Sequence, residues 1–405
     1  MIYQTPAGAR DLLPLEVVQK AWINDLVQEV FQQFGYQRIV TSTLEWLDTL
    51  TAGGAIQPDM VVQLKDNYEG DLGLRPELTA SIARAAVTRM AGNVYPQRLC
   101  YRANVFRTPP KSHYGSQIEY YQAGVELLFA GGMIADAEMI LLLAQCLDNL
   151  GIPDWQILLG EAELTRSLLA IFPTEIRSQV RSCLADLDFI TLDCLNLEPK
   201  LKERALFIAK LRGDPKKVLA KVTTLDLDYS AQKIVENLNS LIDLIELSSP
   251  IKLKITLDLS LLKTFDYYTG IIFEAISLSQ NKSCLLGQGG RYDQLLKLYD
   301  PQNKPAPGIG FSLNIEEIYA SLLSTNQLPQ FPPQIDWLIV PLTQEAGIAA
   351  FKYANKLRQD EPQIRVEMDL GDREHQLVRD YASNCYIKNI AWVNSDGVTQ
   401  HESLR

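Results

Sequence analysis

Hydrophobic and polar positions change period several times along the chain, and those changes delimit its elements. Val17, Val18, Trp22, Leu26, Val27, Val30 and Phe31 recur at helical spacing and predict a helix over residues 15–34, stopped by Gly35. The β-branched run over 36–45 predicts a strand. Residues 61–64 and 70–74 read as short strands, and 77–90 as a helix entered at Pro76. Two longer strands follow at 98–107 and 118–129, separated by a loop at 108–116. Residues 134–150 form a strong helical pattern closed by Gly151, with a short strand at 154–159. From about 160 to 250 the pattern is mostly helical, and it reads as an inserted module outside any sheet. Strand character returns at 251–257 and 268–275; the glycine-rich stretch 287–293 reads as a tight turn, and 308–322 passes from strand into helix. A proline-rich linker at 327–334 divides a core over 1–326 from a β-α-β-α-β unit over 335–405, a small α/β domain.

Composition narrows the class without naming a function. Of 405 residues, 47% are hydrophobic and 21% charged, which is ordinary for a globular chain and excludes a disordered or fibrous one. No apolar run approaches the roughly 18 residues of a membrane span. No basic segment followed by an apolar one opens the chain, so a cytoplasmic protein is expected. The 49 acidic residues outnumber the 38 basic ones, a net charge of −11, which disfavours a dedicated nucleic-acid binder. The 6 cysteines contain no CxxC pair, and the 3 histidines, His113, His375 and His401, stand at no metal-ligand spacing. Neither metal nor cofactor is expected.

Several polar positions stand out against this background. Glu77 follows Arg75-Pro76 where a carboxylate complements a helix start, with Thr79 two residues on. Gln122 and Glu126 lie four apart in an apolar strand and so share one face. Buried together they need a cation or donors, which favours a small polar ligand with an amino group; the alternative is a solvated sheet face. Asp266-Tyr-Tyr-Thr-Gly270 places two phenols in tandem. Residues 287–293 lack both the GxGxxG and the P-loop spacing. Lys111 and His113 lie in a solvated loop, and acidic residues of the insert such as Glu236 lie on a solvated helical face.

Read in order, these pieces resemble the histidyl-tRNA synthetases of the class II family. The resemblance rests on Thr5-Pro-Ala-Gly-Ala-Arg-Asp-Leu-Leu-Pro14, Leu74-Arg-Pro-Glu-Leu-Thr-Ala80, Phe106-Arg107 and Tyr121-Gln-Ala-Gly-Val-Glu126. It continues through Phe265-Asp-Tyr-Tyr-Thr-Gly270, Gly289-Gly-Arg-Tyr-Asp293 and Gly310-Phe311, over nearly the whole chain. It implies an α+β fold: an antiparallel sheet core with a helical insert, plus a small α/β domain like the family's anticodon-binding domain, here shortened. It also implies a histidine-binding set of Glu77, Thr79, Arg107, Gln122, Glu126, Tyr267 and Tyr268. Glu77 and Glu126 would face the ligand's ammonium or imidazole, the tyrosines would wall the ring, and Arg107 would meet the carboxylate.

The departures are equally informative. Ser42 stands at the motif 1 proline, and motif 2 reads Phe106-Arg107-Thr108-Pro109, without its glutamate. Lys263 replaces an arginine of the histidine-specific segment, losing the bidentate fork. Motif 3 reads Asn314-Ile-Glu-Glu317, so the arginine that would clamp a triphosphate is a carboxylate. Nucleotidyl transfer depends on cations set against developing negative charge. Exchanging one for Glu317 costs on the order of several kcal/mol in a partly screened site. Ligand groups kept and nucleotide groups lost resemble a synthetase paralogue, the regulatory subunits of ATP phosphoribosyltransferase. That resemblance implies a non-catalytic chain that activates a short-form catalytic subunit, with L-histidine as effector and a self-dimer inside a hetero-octamer. A divergent histidyl-tRNA synthetase is the alternative; an RNA-binding or stress-sensing module is disfavoured by the charge and the short tail.

Overall fold

A computed structural model describes residues 3–54, 56–64, 70–109, 117–261, 267–279, 282–370 and 373–404. The chain forms two compact units, Met1–Leu328 and Pro329–Arg405.

The first unit opens with α1 (Pro14–Gln33), which buries Ile23, Val27, Val30 and Phe31 along one stripe. Next come β1 (Gln37–Arg38), β2 (Leu44–Trp46), α2 (Leu47–Thr51), β3 (Val62–Leu64), β4 (Leu72–Leu74) and α3 (Thr79–Thr88). The long hairpin of β5 (Gln97–Phe106) and β6 (Glu119–Leu128) leads to α4 (Met133–Asn149) and β7 (Trp155–Glu161). The insert holds α5 (Ala162–Leu169), α6 (Thr174–Ala185), α7 (Phe189–Cys194), α8 (Pro199–Ile208), β8 (Arg212–Gly213), α9 (Pro215–Val222) and α10 (Tyr229–Ser248). The unit closes with β9 (Ile255–Asp258), β10 (Ile271–Ser279), β11 (Lys282–Arg291), α11 (Leu295–Tyr299), β12 (Gly308–Asn314) and α12 (Ile315–Leu322).

Nine strands form one sheet in the order β1-β5-β6-β12-β11-β10-β7-β9-β8, antiparallel from β5 through β7, with parallel pairs at β1–β5 and β7–β9. Its two faces carry different cores. On one, Ala123, Val125 and Leu127 of β6 pack with α1, α4 and α12 and with the insert helices. On the other, Tyr101, Tyr268, Ile272 and Tyr292 pack with Ile82 and Ala86 of α3 and Leu295 of α11. The two-residue period of β6 sends Gln122, Gly124 and Glu126 to this second face. A functional site can form there because α3 and α11 cover that face without filling it.

Four sequence expectations need correction. The strand expected at 36–45 is two short pieces in different sheets, β1 paired with β5 and β2 with β4. Between them the carbonyls of Thr41 and Ser42 accept hydrogen bonds from the Arg75 guanidinium, which replaces strand pairing there. The helix expected from Glu77 begins at Thr79, because the Glu77 carboxylate accepts from the backbone N–H groups of Thr79 (2.5 Å) and Ala80 (2.9 Å). The insert is not separate from the sheet: β8 adds its edge strand, and Val180, Leu192, Val218 and Ile242 join the main core. Residues 287–291 of the glycine-rich stretch are no turn but the second half of β11; the chain turns only after it, at Asp293. A Cβ at Gly289 would overlap the Gly310 carbonyl, so these glycines let strands and rings approach closely rather than reverse the chain.

The second unit is β13 (Trp337–Pro341), α13 (Gly347–Asp360), β14 (Val366–Met368), α14 (His375–Asn384), β15 (Asn389–Asn394) and β16 (Gly397–Ser403). Its sheet order is β14-β13-β15-β16, parallel except for β16. The sequence pattern gives five elements within 335–405 and does not show β16, because its polar residues Thr399, Gln400, His401 and Glu402 carry no apolar alternation. Among the described residues no helix is long and apolar enough to cross a membrane.

Candidate functional site

Six of the seven candidate residues line one cavity: Glu77 and Thr79 at the start of α3, Arg107 just past β5, Gln122 on β6, and Tyr267 and Tyr268 before β10. The seventh, Glu126, is not in the lining; it is buried behind it, 1% exposed, against Thr79 and Tyr292. The Glu126 carboxylate accepts hydrogen bonds from the Thr79 hydroxyl (2.7 Å) and from the Tyr292 phenol. The alternative of a solvated sheet face is excluded, since Gln122 is 7% exposed and Glu126 is buried. Arg107 donates through Nε to the Pro76 carbonyl (2.9 Å), which holds its head beside Glu77. Tyr267 and Tyr268 stack edge to face with centroids 4.9 Å apart, and Tyr267 meets Tyr292 at 5.9 Å.

Two buried carboxylates face one guanidinium here, and burial decides their state. Desolvation pushes the Glu126 carboxyl up to about 8, against the opposing hydrogen bonds from Tyr292 and Thr79; the nearby Glu77 raises it further. Burial also raises Glu77, with the Ala80 and Thr79 N–H groups and Arg107 pulling the other way. Burial lowers the Arg107 guanidinium, which Glu77 partly restores. The same desolvation raises the phenols of Tyr101, Tyr267, Tyr268 and Tyr292, so all four stay neutral donors at physiological pH. A cavity lined by two buried carboxyl groups, one guanidinium and neutral phenols suits a small ligand that carries both a cationic donor and a carboxylate, the cation favouring the ionised form of a carboxyl it meets. Its free volume is about 30 Å³, room for about two waters.

The sequence reading missed Tyr101, Gln288, Tyr292 and Ser312, which complete the lining. Tyr292 was present in the Gly-Gly-Arg-Tyr-Asp motif, and Tyr101 follows from the period of β5; Gln288 was hidden inside the stretch read as a turn. Among the described residues no group of acidic, Cys and His side chains could hold a metal ion. At motif 3, Asn314 caps α12 by accepting from the Glu317 N–H, and Glu316 pairs with Arg10 (2.9 Å) and Lys20 (2.5 Å). Lys111, His113, Lys263 and Asp266 lie outside the described residues.

The family model for histidyl-tRNA synthetase matches residues 8–318. The chain is 59% identical over 408 residues to the ATP phosphoribosyltransferase regulatory subunit of Gloeothece citriformis, covering the whole of both chains. It belongs to the ATP phosphoribosyltransferase regulatory subunit family. Another member, from Rippkaea orientalis, is 59% identical over 398 residues, covering 98% of each chain. Among solved structures, a protein described as an ATP phosphoribosyltransferase regulatory subunit/histidyl-tRNA synthetase from Bacillus halodurans superposes with a TM-score of 0.81 at 25% identity, over 97% of this chain and 99% of its own. A histidyl-tRNA synthetase from a Nostoc species gives 0.78 at 19% identity, over 97% and 92%, a likeness of fold alone. The fold of this regulatory-subunit family member is therefore α+β and class II synthetase-like, as its motifs implied.

Proposed function

We propose that the chain is a non-catalytic subunit that activates a short-form ATP phosphoribosyltransferase catalytic subunit and carries histidine feedback onto the first step of histidine biosynthesis. One contrast supports this most: Glu77, Thr79, Arg107, Gln122, Tyr267 and Tyr268 line one cavity with Glu126 bonded behind Thr79, while the residue at the motif 3 cation is Glu317. The set suits L-histidine: Glu126 and Glu77 for ammonium or imidazole, Arg107 for carboxylate, Tyr267 and Tyr268 against the ring. If histidine inhibits the assembly, the inhibited form binds histidine more tightly, by linkage. Self-association within a hetero-octamer with the catalytic subunit belongs to the same proposal, as does the absence of synthetase activity and of tRNA binding.

Calorimetry on the free chain tests the site. Histidine is expected to bind, and Tyr268→Ala to weaken it by about tenfold or more through loss of ring contact. Histidine-dependent pyrophosphate exchange is expected to be absent. A free chain that binds no histidine, or a Tyr268→Ala variant with a full response, would move the effector site elsewhere; measurable exchange would make the chain a synthetase.

A further inference from the structure

The cavity wall that carries Tyr268 is tied to the helical insert. β7 runs straight into α5, the first helix of the insert, whose cap is the Glu161 carboxylate accepting from the Leu164 N–H. α5 buries Leu164, Leu168 and Leu169 in the main core beside Leu241 and Ile242 of α10. Its start meets the ligand wall. Ala162 packs in the same core as Tyr268, and its N–H donates to the Gly270 carbonyl (2.9 Å). One turn on, Arg166 donates through both Nη1 and Nη2 to the Tyr268 carbonyl, each at 3.1 Å. The same segment is also held by the end of β11 and by Asp293. The Thr269 N–H donates to the Arg291 carbonyl (2.8 Å), and the Asp293 N–H to the Thr269 hydroxyl (2.8 Å).

Two guanidinium N–H groups on one carbonyl make a charge-assisted contact that fixes that carbonyl's direction. A backbone so fixed sets where the ring of the same residue stands. Arg166 is an exposed position of α5, so its loss removes these bonds without opening the core. We propose that Arg166 is a positioning residue for the histidine cavity: it holds the backbone beneath Tyr268 and so couples the ring wall to the insert. This role rests on the histidine reading of the cavity. A shift of α5 would then change histidine affinity, and by reciprocity bound histidine would steady α5.

Calorimetry with L-histidine on the full chain tests this in wild type, Arg166→Met, Arg166→Lys and Arg177→Met. Arg166→Met is expected to weaken binding about tenfold, and Arg166→Lys, which keeps the charge without the fork, about threefold. Arg177 is the control. It too donates to backbone carbonyls of the insert, those of Ala170 and Phe172, but it does not line the cavity, so Arg177→Met should bind as wild type does. Wild-type affinity in Arg166→Met overturns the proposal. So does equal weakening by Arg166→Met and Arg177→Met, which would be a general loosening of the insert. A second readout needs no ligand. In protein labelled with fluorotyrosine, the fluorine resonance missing from Tyr268→Phe belongs to Tyr268. It should shift or broaden in Arg166→Met and stay in place in Arg177→Met. A Tyr268 resonance indifferent to Arg166→Met overturns the positioning role whatever histidine does. A wild type that binds no histidine, with that resonance still moving, would remove the histidine reading and leave Arg166's hold on Tyr268 standing.

Discussion

Glu126→Gln is expected to make the free chain more stable and to destroy its response to histidine. The wild-type carboxyl titrates near 8 when folded, against an ordinary value of 4.5. A folded pKa above the unfolded one means the native state holds the extra proton between those values. Stability from this group is thus complete below about pH 4.5 and is lost as pH rises toward about 8. By pH 7 the loss is on the order of 3 kcal/mol. Glutamine keeps one acceptor oxygen for Thr79 or Tyr292, its amide N–H can donate to the other hydroxyl, and it has no charge to desolvate. The variant should equal wild type in urea unfolding at pH 4.5–5 and exceed it at pH 8, with the remaining slope owed in part to Glu77. Histidine binding should fall about 100-fold, since a charge-assisted contact is gone. An unchanged pH slope would show that Glu126 is not the buried acid described above.

Gly310→Ala should be the most damaging single methyl in the site. A Cβ there would overlap both Glu126 Oε2 and the Val125 carbonyl on the neighbouring strand. The carboxylate can rotate only by giving up Thr79 and Tyr292, and a carbonyl inside a paired sheet cannot move without breaking register. We expect a loss of about 3 kcal/mol or more by denaturant unfolding, together with loss of histidine binding. Gly347→Ala is the control, since nothing lies within 4 Å of its added carbon and it opens a helix. It should be neutral or gain up to about 1 kcal/mol. Equal effects at the two glycines would contradict the packing described around Glu126.

The legible part of this protein was the part written in periodic patterns. The stripe of α1 and the two-residue alternation of β6 placed Gln122 and Glu126 on one face before any coordinates. Motif order supplied Glu77, Thr79, Arg107, Tyr267 and Tyr268, which fold brings to the same cavity from elements far apart in sequence. What stayed hidden depends on tertiary contact. Gly289 and Gly290 looked like a turn because composition cannot distinguish a glycine that bends the chain from one that makes room. At Gly290 an added carbon would stand 2.7 Å from a Tyr268 ring atom. The two-residue β8 carries too little sequence to be read at all.

The most direct test mixes the chain with a cognate short-form ATP phosphoribosyltransferase catalytic subunit and follows phosphoribosyl-ATP formation with and without histidine. The expected result is a rate that rises when this chain is added, then falls with histidine in wild type but not in Glu126→Gln. A rate indifferent to the chain, with a competent cognate partner, would contradict the regulatory reading.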